Sequence, residues 1–133
     1  MQTLLMQLAA FAGHLTLSLV LLAAFVFVYT KSTPFQELAL IRKGNTGAAI
    51  ALAGGLIGFA IVIARSVTVS SGPAEAFFWG AIGLAIQIAG HKLLSYLLPR
   101  FYDAIEEGET APAMTSASVA ISLGLVNAAC MTP

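Results

Sequence analysis

The chain has 133 residues, 59% of them hydrophobic and only 9% charged, with six basic against six acidic side chains; its mean hydropathy is +0.92. A soluble domain carries about 25% charged residues, so most of these side chains are expected to face lipid, and the balanced charge excludes the basic footprint that nucleic acid requires. The single cysteine, Cys130, excludes an intramolecular disulfide and a thiolate metal cage.

Roughly 20 apolar residues cross the hydrocarbon of a bilayer, and the first such run covers 4–29. No Lys or Arg precedes Lys31. A secretory leader has a basic start and an apolar core of about 7–15 residues, so this segment reads as a span. Thr33-Pro34-Phe35-Gln36 then reads as a capping box, with Thr33 as N-cap and Pro34 at the first helical position. The short helix it opens ends at Gly44, which suits a left-handed C-cap. Phe35, Leu38 and Ile41 recur at helical spacing, with Gln36, Glu37 and Arg42 elsewhere on the wheel, a pattern for a helix lying on the membrane surface. A second span covers 46–67, and Ser71-Gly72-Pro73 separates it from a third over 75–98. A fourth covers 112–131. Backbone amides in lipid need internal partners, and continuous apolar runs without alternation exclude a barrel. The fold class is therefore an all-α membrane protein with four transmembrane helices, in one membrane domain, 1–133.

At an offset of 64 residues the two halves share Ile41/Ile105, Gly44/Gly108, Thr46/Thr110, Ala49/Ala113, Ala53/Ala117, Ile57/Ile121, Val62/Val126 and Ala64/Ala128. Pro34 falls one position from the counterpart of Pro99. This predicts two tandem two-helix repeats, about 1–68 and 69–133, each with a short interfacial helix between its spans. Lys31, Arg42, Lys43 and Arg100 lie in the two loops on one face, Lys92 can reach toward that face, and Arg65 lies toward the other as an interface anchor. Basic residues favour the cytoplasm, which puts both loops inside and both termini on the outer side.

Small residues mark the expected helix contacts, because helices in lipid associate through close backbone approach. Gly54 and Gly58, with Gly47, Ala51 and Gly55, mark span two; Ser116, Ala120, Gly124 and Ala128 form a ridge on span four. Span one, rich in Leu, Val and Phe, is expected to face lipid. Polar residues inside spans are costly and point to function by default. His14, Gln87, His91, Asn127 and Cys130 are the candidates, either as a polar path or as interhelical hydrogen-bonding groups. Arg42, Lys43, Glu106 and Glu107 could form a docking surface for a cytosolic partner. The chain has no phosphate loop, GxSxG, HExxH or CxxC, so no enzyme, cofactor or metal site is expected.

The stretch from Glu37 to Asn45, running into Ala49–Ala60, resembles a family signature, as does the ending Gly124-Leu-Val-Asn-Ala-Ala-Cys-Met-Thr132 downstream of Glu106-Glu-Gly-Glu109. Together they resemble the YjfL-like small bacterial inner-membrane proteins, domain of unknown function 350. The resemblance implies four helices in two repeats in a bacterial inner membrane, and it carries over no functional residue. Glu109 departs from the pattern, where an Asn like Asn45 is expected.

The first functional reading is a non-catalytic helical bundle that lies in the bilayer and self-associates or supports a membrane-complex partner. The alternative is a subunit of an oligomeric channel or transporter for an ion or small solute.

Overall fold

The structure, a computed structural model, describes residues 1–132; Pro133, the end of the expected domain, lies outside them. Six helices follow in order: α1 (Gln2–Ser32), α2 (Glu37–Arg42), α3 (Thr46–Val69), α4 (Pro73–Leu97), α5 (Phe101–Glu106) and α6 (Thr110–Cys130). The four long ones are apolar enough to cross a membrane, and no strand occurs among the described residues.

Proline and glycine set the breaks. A residue before proline is pushed out of the α region. Thr33, ahead of Pro34, has φ −101° and ψ 152° and ends α1, while Leu98, ahead of Pro99, has φ −101° and ψ 116° and ends α4. Thr33 thus closes α1 and does not open α2, whose N-cap is Gln36; the expected capping box does not form. The surface turns after α2 and α5 hinge on Gly44 and Gly108, at φ 86° and 87°, a region that L side chains seldom adopt. Both turns carry the same hydrogen bonds, Gly44 N–H to Ile41 O at 2.9 Å and Gly108 N–H to Ile105 O at 3.0 Å, with Asn45 N–H to Leu40 O and Glu109 N–H to Ala104 O both at 2.9 Å.

Helix α3 is the centre of the bundle: 56% of its most apolar stretch is buried, against 11% for α1. It meets α6 at backbone distance. A Cβ on Gly124 would lie 2.9 Å from Gly58 Cα, and one on Gly54 would strike Ala117 Cα. Side chains there would separate the two helices, so glycine is what permits the contact. Phe25, Phe59, Val62, Ile63 and Met131 fill the core, and Phe35, Ala48, Phe101 and Ile105 close it at the end where α2 and α5 lie.

Candidate functional site

Gln87 and His91 lie one turn apart on α4 and face inward, 4% and 9% exposed. Around them Phe25 and Tyr29 of α1, Ala51 and Gly55 of α3, and Ser116 of α6 enclose a cavity of about 10 Å³, room for about one water. Gln87 Nε2 donates to Ala120 O at 3.0 Å, taking up a carbonyl of α6. The His91 ring is packed among aromatics, with centroids 4.8 Å from Tyr29, 5.7 Å from Phe101 and 5.9 Å from Tyr102. Its Nε2 is buried and without a hydrogen-bond partner.

Two further buried polar atoms share that state, Glu37 Oε2 and Asn127 Nδ2. Unpaired buried polar groups are few in native proteins, and each points to function or to a missing water or ion. Asn127 sits toward the opposite end, where its amide faces Gly83 beside Val62. Between it and the cavity the core is apolar, and Phe59 and Val62 are fully buried. The cavity and Glu37 therefore lie toward the α2/α5 end, while Asn127 and the buried Ser66 of α3 are polar groups toward the other end.

Glu37 is the residue that the wheel of the short helix misplaces. It is 2% exposed, whereas Leu38, expected against the apolar side, is 53% exposed. Phe35 lies ahead of α2 and is buried in the extended turn, and Glu37, the first residue of the helix, is its buried residue. Glu37 Oε1 accepts from the Thr33 hydroxyl, and Tyr29 lies within electrostatic reach. Burial holds the Glu37 pKa above the ordinary carboxylate value, with the Thr33 hydrogen bond opposing it in part. The Thr33/Glu37 pair, four apart and flanking Pro34, is the signal in the sequence that could have located this site.

The remaining candidates do not join it. His14 is part-exposed on α1 and bonds within its own helix, through Nδ1 to Ala10 O at 2.8 Å, and Cys130 is exposed. The small residues are absorbed within the chain: Gly47 against the backbone of Ile105 and Glu109, Gly54 against Ala117, Gly58 against Ala120 and Gly124, and Gly55 under the Phe25 ring. Ala51, Ser116 and Ala128 are buried as well. Arg42, Lys43, Glu106 and Glu107 are exposed, and Glu107 pairs with Arg100 at 2.9 Å. Lys92 reaches from α4 to Ser32 O, and Arg65 ties α3 to Met131 O at 3.0 Å. Among the described residues no three His, Cys, Asp or Glu side chains gather as a metal site requires.

Four apolar helices around a half-polar interior define an integral, multi-pass inner-membrane bundle. The chain belongs to the bacterial family described as Domain of Unknown Function (DUF350), which it matches over residues 3–131. It is 32% identical to the UPF0719 inner membrane protein YjfL of Escherichia coli (strain K12), over 95% of this chain and 96% of that protein. It is 26% identical to the UPF0719 transmembrane protein YshE of Bacillus subtilis (strain 168), over 92% and 93% respectively. No solved structure matches it.

Proposed function

We propose that this protein is a non-catalytic membrane bundle that takes protons or a small cation into a polar pocket at its α2/α5 end. The cavity bounded by Tyr29, Gln87, His91 and Ser116, with His91 Nε2 left unpaired, carries that reading. An imidazole has an ordinary pKa near 6.5 and suits proton exchange. The apolar plug of Phe59 and Val62 favours a gated, transporter-like route over an open pore. The charge count favours a cytoplasmic α2/α5 end, and the recurrence of the Gly44 and Gly108 turns supports an origin by duplication. Reconstituted into liposomes with a trapped pH dye, the protein should relax a pH gradient. His91→Ala should slow this by about tenfold, the change that about 1.4 kcal/mol of barrier produces. Tight liposomes in both cases would remove the reading.

A second reading, self-association or support of a membrane partner, draws on what the chain leaves uncovered. These are the length of α1 and a groove of about 300 Å³ on α6 walled by Ser118, Ser122 and Val126. Native mass spectrometry in detergent tests it: a single species of one chain without co-purifying protein counts against it.

A further inference from the structure

We propose that Glu37 is a proton-binding site, held as the neutral acid while α2 is docked, and that loss of its proton swings α2 outward toward the groove walled by Lys31 and Arg42. The proposal deepens the reading of the polar pocket and rests on it for what the proton is used for, though not for where it is held.

The geometry leaves the carboxyl with no counter-charge. The one ion pair among the described residues joins Arg100 to Glu107, both exposed. Lys31 and Arg42 line a surface groove of about 350 Å³ together with Glu37, yet neither forms an ion pair with it. Lys31 of α1 and Arg42 of α2 share the groove with Glu37, Tyr29 of α1 is within electrostatic reach of it, and His91 of α4 and Tyr102 of α5 lie beyond Tyr29, ring to ring. Lys92 is taken up by Ser32 O and lies 3.5 Å from Tyr102 Oη. From α3 the docked face is Ala48 and Ala51, which offer no charge. An ionised carboxylate buried without a partner is strongly disfavoured, because it loses its hydration and gains no opposite charge. A proton removes that cost and turns the orphan oxygen, Oε2, into a donor.

The same position couples protonation to movement. Helix α2 has six residues, too short to be stable without its packing. Phe35, two residues ahead of the helix and 6.1 Å from Tyr102 between ring centroids, and Glu37, its first residue, are the buried anchors of this segment. On one side of Glu37 is the open groove with its two cations. On the other is Tyr29, whose ring is tilted against His91 with centroids 4.8 Å apart, at the wall of the inner cavity. Ionised, the carboxylate gains solvation and opposite charge only by turning toward the groove. That motion uncovers Tyr29 and opens a way from water to His91.

The test uses the full chain in lipid. Infrared difference spectra of wild type at pH about 7, well above the ordinary Glu pKa of about 4.3, should show the carbonyl band of one protonated carboxyl. Glu37→Gln should abolish it. A spin label at Leu38→Cys, in a Cys130→Ser background, should gain mobility as pH rises from about 5 to about 9, a range that starts above that value. The label should be insensitive to pH once Glu37→Gln is added. A missing band, a band that survives Glu37→Gln, or a label equally mobile at every pH overturns the proposal. Liposomes that pass no protons while band and label behave as stated remove the transport reading and leave the Glu37 site standing.

Discussion

Asn45 and Glu109 stand 64 positions apart at the N-caps of α3 and α6, and only one of them caps with its side chain. Asn45 Oδ1 accepts from Ala48 N–H at 2.8 Å while its Nδ2 donates to Glu106 O at 2.8 Å, so one amide starts α3 and fastens it to the end of α5. Loss of a cap costs about 1 kcal/mol, so Asn45→Ala should lower thermal stability in detergent by at least that much. Glu109→Asn should raise it by several tenths of a kcal/mol, because Glu109 already has the extended backbone, φ −64° and ψ 131°, that a cap needs. The pH dependence of stability follows from Glu37. Its pKa is raised in the folded protein, so the folded state holds more protons than the unfolded one above the ordinary carboxylate value. The stabilisation is complete below that value and is lost as pH rises through the folded one. Melting temperature should therefore fall with rising pH, and Glu37→Gln should flatten the slope; a variant with the wild-type slope assigns that dependence to another group. The cap at Asn45 and the turn at Gly44 can be read from residue type alone. The burial of Glu37 cannot, since a six-residue helix has too few turns for its wheel to fix a face, and Phe35, counted in that wheel, lies outside the helix.

At the scale of elements, spans were legible because apolar length is a direct physical requirement of the bilayer. The helices run a few residues beyond the expected limits, α1 to Ser32 and α3 to Val69. Small-residue spacing drew attention to α3 and α6, yet spacing cannot say whether a ridge meets its own chain or a second copy. Here Gly54, Gly58 and Gly124 are used inside the chain, which leaves them no part in self-association. Gly124→Leu would drive a side chain into the Gly58 backbone, which can yield only if the helices part. Overpacking of this kind costs about 1–3 kcal/mol or more, and a large drop in melting temperature in detergent should follow. Ala23 is exposed on α1, and Ala23→Leu should change little. Comparable losses at both sites would mean that α1 is covered by something in the assembled protein.

For the whole molecule, the charges and the polar pocket fall at the same end. Lys31, Arg42, Lys43, Lys92 and Arg100 gather where α2 and α5 lie, with Lys92 bonded to Ser32 O and Arg100 to Glu107. At the opposite end stands Arg65, whose guanidinium is occupied by Met131 O. Lys and Arg near span ends favour the cytoplasm, which predicts Gly44 inside and the C-terminus outside. A reporter inserted at the Gly44 turn should therefore be active only in the cytoplasm, and one fused after the last residue, Pro133, only outside it. The measurement also fixes the direction in which the pocket loads, because the groove beside Glu37 opens at the basic end. With that end inside, the proposed loading of Glu37 and His91 would run from the cytoplasm, with the apolar barrier of Phe59 and Val62 between them and the outer face. Charge reversal at Arg42 and Lys43, both exposed, should weaken the bias and produce a mixed population. A cytoplasmic C-terminus would invert the loading direction. It would also show that the basic loops do not set the orientation of this chain, while the Glu37 site, which depends on burial and not on sidedness, would keep its infrared signature.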